Sequence, residues 1–298
     1  MAVAQPKKNA EAGKTAPLRK HKHHKDSGSS KLALKLKKRA SAAGARLHRK
    51  NIDNMFSCRY ELKYRISEAR ARALAQFIKP YLHRDRYAKL QVDGTYPIVS
   101  LYFDSDTFNL ARETIEGKKN RFKLRIRSYS DDEQAPRFFE IKRRIDRIIL
   151  KSRARVRQKD VEALATRKSL ILPADCSDEK TLRQFQLYMH SLNAKPLVRV
   201  RYMREAFEGD SDNRVRITFD RRLSYKITRD PEVIFAGNGW RRVAMEFVIL
   251  EIKFTARYPA WLSQMVKTFD LKQTAMSKYV ESVKQSCSMG FCSPRIMV

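Results

Sequence analysis

Arg121-Phe122-Lys123-Leu124-Arg125-Ile126-Arg127 alternates charged and apolar residues without a break. Successive side chains of a strand point to opposite faces, so Arg121, Lys123, Arg125 and Arg127 share one face while Phe122, Leu124 and Ile126 share the other. Taken alone, such a stretch is an amphipathic strand with a solvated face. The same grammar recurs along the chain. Arg59, Glu61, Lys63 and Arg65 alternate with Tyr60, Leu62, Tyr64 and Ile66; Glu140 and Lys142 with Phe139 and Ile141; Arg199 and Arg201 with Val198, Val200 and Tyr202. Arg216, Thr218 and Asp220 alternate with Val215, Ile217 and Phe219, and Glu251 and Lys253 with Leu250, Ile252 and Phe254.

Strands with one charged and one apolar face suit an antiparallel sheet closed into a barrel, an α+β fold with helices packed outside and charged side chains lining the interior. Burying an ion costs on the order of several kcal/mol, so such a lumen must be wide, wet and partly self-paired, with Glu61, Glu140 and Glu251 offsetting the bases. The surplus cations call for an anion. A phosphate chain answers, because each phosphate offers oxygens to Lys and Arg.

Composition agrees. The chain has 298 residues, 42% of them hydrophobic, and a formal charge of +32. That excess predicts a polyanionic partner. Residues 1–50 hold 15 Lys and Arg against 2 acids, with His21, His23 and His24 close together. Residues 1–55 therefore read as a basic, disordered arm, expected to bind nucleic acid or an anionic membrane weakly and with strong salt dependence. The four cysteines, Cys58, Cys176, Cys287 and Cys292, read as reduced thiols. No run has the apolar length of a membrane span, and no hydrophobic signal segment opens the chain. A cytoplasmic protein, peripheral to a membrane at most through the arm, is the expectation.

Residues 56–285 read as one domain, followed by a short tail, 286–298. Ser67 is placed to cap a helix ending near Pro80, and Asp104-Ser105-Asp106 to stop a strand and cap a short helix through Glu113. Helices are expected near 159–167, 179–192, 259–269 and 274–284, with further strands at 98–103, 148–156, 197–207, 215–220 and 244–254.

The ordered set RYELKY (59–64), SLYFDS (100–105), RFKLRIRSY (121–129), FFEIKRR (138–144), VRVRYMREAF (198–207), RITFD (216–220), ILEIKF (249–254) and SKY (277–279) resembles the VTC domain of polyphosphate polymerases, within the triphosphate tunnel metalloenzyme or CYTH-like superfamily. The resemblance implies a closed, eight-stranded antiparallel tunnel that transfers the γ-phosphate of ATP onto a growing polyphosphate chain. It implies phosphate-gripping roles for Lys63, Arg125, Arg127, Lys142, Arg201 and Arg216, and substrate contacts from Glu61, Lys123, Glu140, Lys151, Arg199, Lys253 and Lys278. Glu251 matches a metal-binding glutamate, for Mn²⁺ or Mg²⁺. There is one departure: where the family pattern has a lysine three residues before Lys278, this chain has Ala275, with Lys272 as the nearby stand-in.

Phosphoryl transfer leaves little covalent chemistry to a protein, so cations and one carboxylate-held metal are a sufficient apparatus. The plain alternative for Glu251 is an internal pair with Lys253 or a facing arginine. Two functional alternatives stay open: a polyphosphate-binding module without turnover, or a triphosphatase of the same fold. A nucleic-acid binder is disfavoured as the main role, because the cations alternate with acids instead of lying beside stacking aromatics.

Overall fold

The computed structural model describes residues 59–146, 148–166, 173, 175–210, 214–255 and 258–290. The expectations for the basic arm and for most of the C-terminal tail lie outside these residues. Strand β1 (Arg59–Ile66) leads into helix α1 (Glu68–Ile78), with the Ser67 side chain accepting from the Arg70 amide as the sequence predicts. The short strand β2 (His83–Arg84) and helix α2 (Arg86–Lys89) precede β3 (Thr95–Asp104) and α3 (Asn109–Ile115). The antiparallel run β4 (Asn120–Ser128), β5 (Arg137–Ile145) and β6 (Ile148–Val156) follows, then α4 (Val161–Ala165) and α5 (Glu179–Ser191). The chain continues through β7 (Lys195–Glu208), β8 (Arg216–Ile227), β9 (Arg241–Arg242), β10 (Val248–Thr255), α6 (Ala260–Thr268) and α7 (Lys278–Ser288).

All the strands join one antiparallel sheet in the order β1-β10-β8-β7-β3-β4-β5-β6, with β2 and β9 as two-residue additions beside β7 and β8. Two expectations are corrected here. The sheet has ten strands, not eight, and it is not closed into a barrel. Its end strands, β1 and β6, share no ladder. The physical reason lies in the segment before α7, which takes hydrogen bonds at β1: the Thr274 amide donates to the Lys63 carbonyl at 2.8 Å, and Tyr64 bridges Gln273. A side-chain pair instead joins β1 to β5, the neighbour of end strand β6. Lys142 on β5 reaches Glu61 on β1 at 3.0 Å.

The alternation of charged and apolar residues is expressed as two layers. On the outer face, Val99, Leu101, Phe103, Leu124, Ile126, Phe139 and Ile141 pack against Val161 and Leu164 of α4 and Leu182, Phe185 and Met189 of α5. Tyr64, Ile66, Ile217, Phe219, Leu250 and Ile252 pack against Leu74 and Ile78 of α1 and Leu262 and Met265 of α6. Each such aliphatic or aromatic side chain, fully buried, contributes about 1.5–3 kcal/mol. The inner face carries the charged residues and one unexpected element. Helix α7 packs Tyr279, Val280 and Val283 against Ile98, Tyr102, Val198, Val200 and Tyr202, so not every helix lies outside. Asp104 anchors the arrangement, accepting from the Leu110 and Ala111 amides at the start of α3 and from the Tyr279 hydroxyl at 2.6 Å. The reading of all four cysteines as reduced is corrected at Cys287, buried in the last turn of α7, which is disulfide-bonded; Cys176 is free.

Candidate functional site

Cross-strand register decides which side chains meet. Lys123 lies opposite Lys142, and Lys142 opposite Lys151; Arg125 lies opposite Glu140, and Glu140 opposite Arg153. On the far side of the sheet, Glu61 pairs in register with Lys253, Lys63 with Glu251, and Arg204 with Asp220. Between them lies a recess of about 80 Å³, lined by Lys63, Lys123, Arg125, Arg127, Lys142, Arg204, Lys253 and Lys278, with Glu61, Glu251, Tyr102, Tyr202 and Ser277.

The carboxylates hold the cations in place. Glu140, fully buried, accepts from Arg125 at 2.6 Å, Lys151 at 2.8 Å and Arg153 at 2.5 Å. Glu61 ties Lys63 and Lys142, each at 3.0 Å. Asp220 takes a bidentate grip from Arg204, 2.6 and 2.7 Å, and a third contact from Lys278 at 2.6 Å. Glu251 lies 2.5 Å from Lys253 and 3.9 Å from Arg204. Ten basic side chains thus surround four carboxylates among the described residues, a formal surplus of six positive charges when every lysine is protonated. Lys123 and Arg127 bond only neutral groups: Lys123 donates to the Ser277 hydroxyl at 2.8 Å, Arg127 to the Ser100 hydroxyl at 3.1 Å and the Tyr202 hydroxyl at 3.3 Å.

The electrostatics follow from this imbalance. Burial pulls Lys123 well below the ordinary lysine range, and Lys63, Lys142, Arg121 and Arg125 add to it. Burial brings Lys142 down to about 8 and Lys151 to about 7, despite the attraction of Glu61 and Glu140 respectively. The acids move the other way. Burial works to raise Glu140, yet Arg125, Arg127, Lys151 and Arg153 hold it well below the usual carboxylate range. Burial and Glu251 push Glu61 upward, but Lys142, Lys63 and Lys253 bring it down to about 2. Glu251, against its burial, is held low by Lys253, Lys63, Lys278 and Arg204.

Of the residues singled out in the sequence, Glu61, Lys63, Lys123, Arg125, Arg127, Lys142, Glu251, Lys253 and Lys278 line the recess. Glu140 lies behind its cations and fixes them, with Lys151 on the outer side of that pair. Arg216 shares the inner face, but Asp85 and Glu208 bind its guanidinium at 2.6 and 2.8 Å. Arg199 and Arg201 are not brought to the recess, which corrects their assignment to the charged inner face. They lie in register with Leu101 and Val99 of the outer core, while the inner face of β7 carries Val198, Val200, Tyr202 and Arg204. Arg199 is 2% exposed and pairs with Asp230 at 3.2 Å; Arg201 sits over the rings of Phe235 and Trp240 at 4.9 and 4.3 Å. Lys272 does not replace the lysine missing at Ala275, since its side chain is 85% exposed and pairs with Asp270.

Sequence reasoning missed Arg204, Arg153, Tyr102 and Tyr202. A signal for Arg204 existed: Asp220 was already placed on the charged face, and a buried carboxylate there demands a cation from the neighbouring strand.

Among the described residues no three His, Cys, Asp or Glu side chains gather to cage a metal. Glu251 and Glu61 nevertheless face the recess from adjacent strands, and carboxylate oxygens suit Mg²⁺ or Mn²⁺, which take one or two protein ligands and leave other positions to phosphate oxygens and water. Both carboxylates are paired internally, Glu251 with Lys253 and Glu61 with Lys63 and Lys142, so an ion bound here would have to draw them away from those lysines.

With this geometry in hand, comparison with known proteins is informative. A family model described as the VTC domain matches residues 58–287. Vacuolar transporter chaperone complex subunit 4 of Schizosaccharomyces pombe is 25% identical over 226 residues, covering 62% of this chain; the chain spans 31% of that protein's length. Among solved structures, a putative adenylate cyclase from Bacillus halodurans aligns with a TM-score of 0.41 at 14% identity, covering 74% of this chain and 95% of that one. A Pyrococcus horikoshii protein aligns with a TM-score of 0.40 at 12% identity, covering 77% and 99%. TM-scores this low leave the fold to be defined by the strand ladder itself. The family match, by contrast, runs from the first strand into the last helix and takes in every residue that lines the recess: the chain belongs to the VTC domain family.

Proposed function

We propose that the protein is a metal-dependent polyphosphate polymerase that transfers the γ-phosphate of ATP to the end of a polyphosphate chain held in the recess. The observation that carries this reading is the formal surplus of six basic side chains over carboxylates around a narrow trough, with Lys123 and Arg127 bonded to neutral groups alone. A linear polyanion is the ligand that such a trough neutralises along its length. Membership of the VTC domain family supports the same substrate class.

In this reading the bond between the γ-phosphorus and the β,γ-bridging oxygen breaks, ADP leaves with the electron pair, and a terminal oxygen of the polymer forms the new bond. That oxygen is already anionic, so no protein base is required. Arg125, Arg127 and Arg204, fixed by Glu140, Ser100 and Asp220, bind and align the phosphates before reaction. Lys63, Lys142 and Lys278 neutralise charge on the phosphate oxygens. Glu251, with Glu61 beside it, would hold a divalent Mg²⁺ or Mn²⁺, which supplies Lewis-acid neutralisation of the phosphate oxygens when bound.

A second reading, a binding module without turnover, is favoured by one observation: position 275 carries an exposed alanine, and Lys272 points to solvent. Incubation of the purified chain with ATP and Mn²⁺, beside a Glu251→Ala variant, separates the readings. Polymer made by the wild type and lost in the variant supports the polymerase. Free phosphate without polymer indicates a triphosphatase; tight polyphosphate binding with neither product indicates the binding module.

A further inference from the structure

The cationic face of β4 and β5 does not stop where the recess stops. One rung beyond Lys123 and Lys142, Arg121 lies directly opposite Arg144. Like charges in direct cross-strand register destabilise a sheet unless something offsets them. Among the described residues neither arginine has a carboxylate as an ion-pair partner. Arg121 donates to the Lys118 carbonyl and Arg144 to the Asp146 carbonyl, both backbone groups. The carboxylate facing Arg121 is Glu113, which is itself paired with Lys118 at 3.7 Å. Arg144 is exposed, and neither arginine lines the recess.

Successive rungs on one face are separated by two residues, about 6.8 Å along the strand. From the Arg127 rung to the Arg121 rung is six residues, about 20 Å along which β4 presents a cation at every rung. Glu140 is the carboxylate on that stretch of β5, and it sits at the Arg125 rung, buried behind the cations. The outer two rungs, Lys123 with Lys142 and Arg121 with Arg144, are basic on both strands. The positive track therefore leads out of the recess onto the β5–β6 hairpin.

We propose that Arg121 and Arg144 form an exterior subsite that binds phosphates of a long inorganic polyphosphate chain emerging from the recess, and that this subsite distinguishes long chains from triphosphate. The inference rests on the polyphosphate reading above and adds to it a determinant of chain length. A triphosphate bound at the inner rungs does not extend to this pair. A chain of several tens of units reaches it and gains two charge-assisted contacts, each available without reorganising the recess.

The test compares binding of inorganic tripolyphosphate and of long-chain polyphosphate to the full chain and to the double variant Arg121→Gln, Arg144→Gln. Thermal melting verifies that the variant folds, and Arg144→Gln alone serves if the pair does not. The expected result is a loss of about fivefold in long-chain affinity, a reduced salt dependence for long chains, and unchanged tripolyphosphate affinity. Unchanged long-chain affinity overturns the subsite, as does a parallel loss for both ligands. Failure of the wild type to bind either phosphate ligand overturns the polyphosphate reading itself and the subsite with it.

Discussion

Two arginine pairs in this chain have the same spelling and opposite fates. Arg125 and Arg127 on β4, and Arg199 and Arg201 on β7, each alternate with aliphatic neighbours. The first pair turns inward, with Arg125 bound to the buried Glu140 and Arg127 to hydroxyls. The second turns outward beneath the loop containing Asp230, Phe235 and Trp240, where a salt bridge and two aromatic faces occupy it. Alternation says that two faces differ; the partner strand says which face is inside.

Removing the carboxylate that each pair faces separates the two most strongly. Glu140→Gln strips a buried anion from three cations and is expected to cost about 3–5 kcal/mol in chemical denaturation. Asp230→Asn, at a half-exposed position, is expected to change stability by no more than about 1 kcal/mol. Next in size is Arg127→Ala. It leaves no buried carboxylate unpaired, so the fold should persist while tripolyphosphate affinity drops about 10–100-fold by calorimetry.

A pH series sharpens the contrast, because lysines with lowered values sit on the inner side. Lys142 and Lys151 are held near 8 and 7 in the folded chain, below the unfolded value of about 10.4. Across that interval the unfolded chain binds more protons than the folded one, so their contribution to stability rises with pH. Phosphate affinity should move the opposite way, falling from pH 6 to pH 9 as these cations discharge. Parallel melting and binding curves check the two signs. Arg201→Ala probes the outward pair, since it loses the contacts with Phe235 and Trp240. It should lower stability by about 0.5–2 kcal/mol while tripolyphosphate affinity stays constant.

Much of the site was legible because strand period and charge are local properties. Lys123, Arg125 and Arg127 could be grouped from one stretch, and Lys63 with Glu251 from two stretches of the same pattern. Ser67 announced its helix by a capping side chain. What the residues could not convey was non-local. The side on which Arg199 falls depends on its register with Leu101. The open sheet depends on a Thr274 amide taking the Lys63 carbonyl, a contact between residues more than two hundred positions apart. Helix α7 looked like any amphipathic helix, and only its packing on Ile98 and Val200 reveals that it fills part of the inner face.

That open sheet has a mechanical meaning. In a closed barrel, strand number and stagger set the diameter. Here the end strand β1 is stitched to β5 by Glu61 and Lys142, a pair of charges in place of a ladder. The calibre of the trough is therefore an electrostatic quantity: a polyanion that competes for Lys142 also loosens the stitch, and the cargo helps to set the width of its own passage.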